Sequence, residues 1–417
     1  MSKLEYKSHR FHWRGVVLTA AMVLLGGAAA LGQEWPRFRG ANGVGVSDAK
    51  IPAKWTEKNF VWKADLPGVG HGSPVVWGDR IFLLCGDEAT AARVAVCVDP
   101  ADGSLVWKRE FEALKHRHHK FNSVASTTPA TDGDCVVFSW GTTEKLTLVA
   151  FDHDGKKLWE SDLGPVKGGH GFGASPVIHG DLVVINNDQD GESSLIAVNR
   201  KTGKLVWKLP RQSERLSYSC PAAFRQPDGS EALVFTNWRH GITALDPADG
   251  RVIWEKSVFN QIKKERAIGS PVVAGDLLIG TCGFVQNPKH VVALRPGTED
   301  VEEVWRIEEA VPHIPTPLVV GKRIFLWEDK GTVTCADHAT GRVIWRERVS
   351  SPTFSSPVCA GGKIFSIDRN GVVTVIAAAD EFKKLAENDL GETCHATPAV
   401  SGGTMFVRTY GKLMAIR

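Results

Sequence analysis

The densest run of chemically capable side chains is Lys115-His116-Arg117-His118-His119-Lys120-Phe121-Asn122-Ser123. Clustered imidazoles can ligate zinc when neutral donors converge on one point. Here Lys115, Arg117 and Lys120 interleave with them, and cations oppose a dication, so a metal site is not the favoured reading. The same cations suit an anion. A second candidate, Asn187-Asp188-Gln189-Asp190-Gly191-Glu192, has the look of a calcium-loop fragment. Its glutamate stands at the sixth place rather than the twelfth, so an ordinary polar hairpin is expected. Nucleophilic and phosphate-binding motifs fail in the same way. Gly173-Ala174-Ser175-Pro176 is not a G-x-S-x-G elbow, and the glycines of 169–173 precede a strand instead of a helix.

What must position these residues is a repeat. A small residue followed by proline recurs as Ser73-Pro74, Thr128-Pro129, Ser175-Pro176, Cys220-Pro221, Ser270-Pro271, Thr316-Pro317, Ser356-Pro357 and Thr397-Pro398. A closing tryptophan recurs as Trp62, Trp107, Trp159, Trp207, Trp254, Trp305 and Trp345, with Leu385 in the eighth place. Between them lie short runs rich in β-branched residues, broken by Gly, Asp and Asn, as in strands joined by tight turns. Eight copies at intervals of 40 to 55 residues match the period of propeller blades. The expected fold is all-β: an eight-bladed β-propeller of four-stranded antiparallel blades. Proline suits the innermost strand because the edge facing the channel has no ladder partner. Gly103, Gly155, Gly203, Gly250 and Gly341 supply the turn before the outer strand, and the tryptophan packs between blades.

The chain has 417 residues and a formal net charge of +3, which makes no general case for nucleic acid. Residues 1–32 read as a signal peptide. Lys3, Lys7, Arg10 and Arg14 precede the apolar run Val16 to Leu25, and small residues lead to an expected cleavage near Gly32. An uncleaved anchor is the alternative, although the run falls short of the roughly 20 apolar residues that a span needs. Residues 33–58 read as an extended arm, and 59–417 as the propeller. Residues 59–66 look like an outer strand without its three predecessors, while the last repeat stops after its third strand at Leu413 to Arg417. Strand 59–66 is therefore expected to complete the last blade and close the ring. The eight cysteines include no C-x-x-C and no adjacent pair. Cys85 and Cys282 share a second-strand register, and Cys97 and Cys335 a third-strand one, which suits free buried thiols better than bridges.

Loops leading into the inner strands emerge on one face around the channel, the usual place for function on a rigid ring. Four of them (112–125, 164–172, 209–218 and 257–268) carry Lys115, Arg117, Lys120, Lys167, Arg211, Arg215, Lys263, Lys264 and Arg266 against three glutamates. The other four carry no Lys or Arg. Half of this face is therefore basic, and its field favours an anionic ligand or an acidic partner segment. The candidate binding residues are His118, Lys120, Asn122, Arg211, Arg215, Arg266 and His170, with Tyr218 as a stacking surface; His71, His313 and His395 should stand near them at the channel mouth. No catalytic or metal-ligating residue is assigned.

The unit Ala244-Leu245-Asp246-Pro247-Ala248-Asp249-Gly250-Arg251-Val252-Ile253-Trp254, with its counterparts at 197–207 and 336–345, resembles the pyrroloquinoline-quinone-like (PQQ-like) repeat. The leading Trp35-Pro36-Arg37-Phe38-Arg39-Gly40 is similar to the arm of many exported members of that class. The resemblance implies one of two functions. A BamB-like branch holds another macromolecule in the cell envelope without catalysis. The quinoprotein dehydrogenases oxidise alcohols or sugars with PQQ and calcium, and typically carry adjacent cysteines absent here. The expectation is a periplasmic or secreted scaffold without a cofactor, monomeric and at most peripherally membrane-associated. Its partner would be an envelope protein or an anionic ligand such as an acidic glycan.

Overall fold

Tight turns and β-branched runs let each repeat pair its own strands into one sheet. A computed structural model describes Met1 and residues 34–417 apart from 263, 264 and 287. The expected signal peptide thus lies almost wholly outside the described residues. In the first blade Val75–Trp77, Arg80–Gly86, Arg93–Val98 and Leu105–Phe111 pair in sequence order, and the same order holds in each later repeat except the last, whose outer strand comes from the start of the ring. The second and third strands of this blade are buried along almost their whole length, whereas the outer strand is mostly exposed and buries Trp107. Burial on both faces is what stacking against two neighbouring blades demands. Eight such antiparallel sheets form the ring.

Ring closure is as expected. Phe60–Asp65 pairs antiparallel with Lys412–Ile416, setting Trp62 opposite Ala415 and Lys63 opposite Met414. The tryptophans bind blade to blade through one repeated contact. The indole Nε1 of Trp62 donates to Pro100 O in the next blade's turn at 2.9 Å, and Trp107 donates likewise to His153 O at 2.8 Å. The turn glycine lies under that indole. At Gly103, whose φ is +77°, an added Cβ would stand 2.6 Å from the Trp62 ring, so both conformation and space demand glycine.

The opener hydroxyls have a function beyond being small. Seven opener amides donate to the side-chain oxygen of the next blade's opener, for example Ser73 N to Thr128 Oγ1 at 3.0 Å and Thr397 N to Ser73 Oγ at 3.0 Å. This hydroxyl ring lines the neck of the channel.

The arm lies across the inner edges that proline leaves unpaired. Trp35 forms an antiparallel bridge with Val76, and Thr131 N donates to Pro36 O at 2.8 Å. The amide of Asn42 mimics a strand, exchanging bonds of 2.9 and 2.8 Å with Ala223 O and N. Val46–Ser47 then runs parallel to Val358–Ala360. All eight cysteines are free and buried. Among the described residues no helix is long and apolar enough to cross a membrane.

Candidate functional site

The leading loops enclose a cavity of about 680 Å³ at the centre of the ring, within the range of small-ligand sites. Its neck is the hydroxyl ring, and Phe38 of the arm borders it together with the openers Ser73, Thr128, Ser175 and Cys220. Above them stand His71, His119, His170, His313 and His395, each from a loop just ahead of an opener. Phe121, Phe354, Phe284 and Val285 add apolar wall.

Four of the expected residues converge here: Asn122, His170, Tyr218 and Arg266. Asn122 Nδ2 donates to His170 O at 2.6 Å, and His170 stacks on His119 with ring centroids 5.1 Å apart. Tyr218 Oη donates to Gly171 O at 2.8 Å, and a Cβ on Gly173 would meet the Tyr218 ring at 3.0 Å. The backbone of Arg266 is bridged to Gly283, which fixes its stem, and Nη2 lies 3.4 Å from His170 Nδ1. Of the anticipated histidines, the rings of His71 and His395 meet at a tilt of 31° with centroids 4.2 Å apart.

The other four sit elsewhere. His118 turns from the cavity wall toward Glu88, with Nε2 3.4 Å from the carboxylate. Lys120 is exposed, does not border the cavity, and lies over the Phe121 ring at 5.1 Å. Arg215 is half-buried beside the site and does not border the cavity. Arg211 corrects the expectation most. Its side chain is 3% exposed and faces the fully buried Asp188 at 3.4 Å, so it is an interior group and offers no cation to solvent. The 187–192 segment is likewise an inward-tied hairpin. Asp188 accepts from Asn237 Nδ2 at 2.8 Å, and Gln189 bonds Lys167 N, Pro165 O and Glu192 O. Lys263 and Lys264 fall outside the described residues. Arg211→Ala should therefore act on stability, lowering it by about 3 kcal/mol through the stranded Asp188, as a shifted denaturant midpoint would show.

Three residues that border the cavity escaped the sequence reading. Arg369 stands over the Phe121 and Phe354 rings at 4.8 and 5.2 Å, in cation–π range. Asp329 accepts from His313 N at 2.8 Å, Ile314 N at 2.9 Å and Lys289 Nζ at 3.2 Å. Lys330 beside it is exposed. All three come from connections between second and third strands, so a survey of those turns would have found them.

The electrostatics follow from burial. Desolvation, then the neighbouring His395 and Arg408, push His71 down to about 2. Burial takes His313 to about 4 against the pull of Asp329. Burial also takes His395 to about 4, opposed by its bond to Phe121 O. His170 is lowered by burial and then by Arg266. These imidazoles are neutral at pH 7. The fixed charges bordering the cavity are then Arg266, Arg369 and Lys330, against an Asp329 already held by Lys289. Neither arginine has a carboxylate within ion-pair distance among the described residues. The cup is apolar, aromatic-walled and electropositive, with no group of three or more His, Cys, Asp or Glu converging as a metal site among those residues.

A family model described as outer membrane protein assembly factor BamB matches residues 90–302 and 288–417. No curated protein sequence matches the chain. Among solved structures, BamB from Moraxella catarrhalis superposes with a TM-score of 0.61 at 15% identity, over 85% of this chain and 97% of that one. A europium-containing methanol dehydrogenase gives 0.69 at 12% identity, covering 91% and 90%. The quinohemoprotein alcohol dehydrogenase of Comamonas testosteroni gives 0.64 at 13%, covering 92% and 80%. At such identities these likenesses establish a shared fold.

Proposed function

This chain belongs to the PQQ-like propeller family described by BamB, and from that premise we propose that it is an exported, non-catalytic binding propeller of the cell envelope. Its leading-loop face takes up an anionic group, carried by a partner protein or a ligand such as an acidic glycan. The observation that carries the reading is the pair of guanidiniums bordering one cavity, Arg266 and Arg369, without a carboxylate partner between them. A charge left in a low-dielectric cup is costly until an opposite charge joins it, so the cup is predisposed to anions. The basic residues ahead of the apolar run Val16 to Leu25 support export.

The quinoprotein alternative asks for a calcium ion held by several oxygen donors. Among the described residues Asp329 is the one carboxylate bordering the cavity, and Lys289 with two backbone amides occupies it; Cys220 has no adjacent cysteine. These residues do not suit calcium with PQQ, and no redox step is derived for them.

Heat titration with polyglutamate tests the binding reading. Binding at low salt that weakens about tenfold in the Arg266→Ala/Arg369→Ala double variant is expected, the size of a lost charge-assisted contact. Equal affinity in the variant would remove the proposal. Dye reduction with an alcohol after addition of PQQ and calcium would move the protein to the enzyme branch.

A further inference from the structure

The hydroxyl ring is interrupted at one junction, and the interruption holds a thiol. Between the third and fourth blades the next opener is Cys220, and no bond from Ser175 N matches the seven made elsewhere. Of the eight cysteines, Cys220 is the one that borders the cavity. It is 2% exposed and borders the space, so a reagent must enter the cup to reach it. The other seven thiols sit in blade cores, where burial pushes Cys97, Cys135, Cys335 and Cys394 up to about 12.

One side chain abuts this spot, and a second borders the same cavity. Arg37 of the arm is 7% exposed, and its Nη2 donates to Pro221 O, the residue after Cys220, at 2.8 Å. Its Nε finds no partner among the described residues. His313, 5% exposed, leaves Nδ1 equally unpartnered at the wall of the same cavity.

We infer that Cys220 is a modification site, which a low-molecular-weight disulfide entering the cup converts to a mixed disulfide. The Cys220 sulfur attacks one sulfur of the reagent RS–SR. Its bond to that sulfur forms as the S–S bond breaks, and the second half leaves as RS⁻ and takes up the proton that Cys220 released. The adduct fills the neck of the cavity and couples its occupancy to the thiol–disulfide state of the surroundings. The inference does not depend on the anionic-ligand reading, since a neutral disulfide serves as well.

The test is thiol titration of the folded full-length chain with two aromatic disulfides, anionic dithiobis(nitrobenzoate) and neutral dithiodipyridine. One equivalent should react about a hundredfold faster than the rest, and all eight cysteines should react after unfolding. Cys220→Ser should remove the fast equivalent while keeping the fold, because it places a hydroxyl where the other blades have one. Peptide mapping of the labelled wild type gives a second readout, with the label expected on Cys220. A fast equivalent that survives Cys220→Ser, a label mapped to another cysteine, or no reaction with either reagent before unfolding overturns the inference. Reaction with dithiodipyridine alone would keep Cys220 as the site and count against the anion reading.

Discussion

Deleting Phe60–Asp65 is expected to leave a protein with no cooperative unfolding transition. That strand supplies the outer edge of the blade formed by Ala399–Ser401, Thr404–Arg408 and Lys412–Ile416. Its loss exposes the Lys412–Ile416 edge and removes the Trp62 ring from Phe406, 6.0 Å away, and from the turn of the first blade. By joining Asn59 directly to Leu66 it also pulls on the adjoining clasp, in which Arg417 N donates to Asn59 O at 2.9 Å and Asn59 Nδ2 to Arg417 O at 3.1 Å. Removing one such indole costs about 3–5 kcal/mol. A ring has no partial closure, so the added loss of a strand ladder should exceed the typical stability of about 5–15 kcal/mol. Calorimetry of the deletion variant should show no sharp endotherm, and Trp62→Ala alone should lower the melting temperature without abolishing it. A deletion variant that melts as the full chain does would mean that the ring is held shut elsewhere.

Acidification is the second large effect. His71, His313 and His395 are folded with values near 2, 4 and 4, below the unfolded value of about 6.5. A depressed histidine binds its proton in the unfolded chain first. Its contribution is therefore full above about pH 6.5 and is lost as pH falls toward the folded value. At pH 5 each imidazole should cost about 2 kcal/mol relative to pH 7, giving a ceiling of about 6 kcal/mol for the three. Other charges shape the slope: Arg408 beside His71, Asp329 and Lys289 beside His313, and Arg369 beside His395. Urea midpoints at pH 7 and pH 5 measure the loss, and His71→Gln/His395→Gln should flatten it. An unchanged midpoint would mean that these rings are protonated or hydrated in the folded protein.

The fold was legible because its markers are forced by local physics. Proline needs an unpaired edge, the turn glycine needs room under Trp62 or its counterpart, and both recur on a fixed period. The site was legible where a loop's direction follows from the ring, which is why Asn122, His170, Tyr218 and Arg266 meet. It failed where charge was counted without direction. Arg211 ends the strand Leu205–Arg211 and points inward to Asp188, a partner distant in sequence and invisible to a count of bases. In the extended 115–123 segment, His119 faces the cavity while its neighbour His118 turns to Glu88. Arg369 and Asp329 stand in D-x-x-G and D-x-G turns that also close ordinary hairpins, so composition alone gave them no emphasis.

The most direct measurement is the position of a heavy-atom anion in crystals of the folded protein. Crystals soaked in a brominated benzene dicarboxylate should show one strong anomalous peak inside the cup, with the carboxylates against Arg266 and Arg369. A peak bound only outside the ring, or a cup that stays empty at saturating probe, would contradict an electropositive binding cavity.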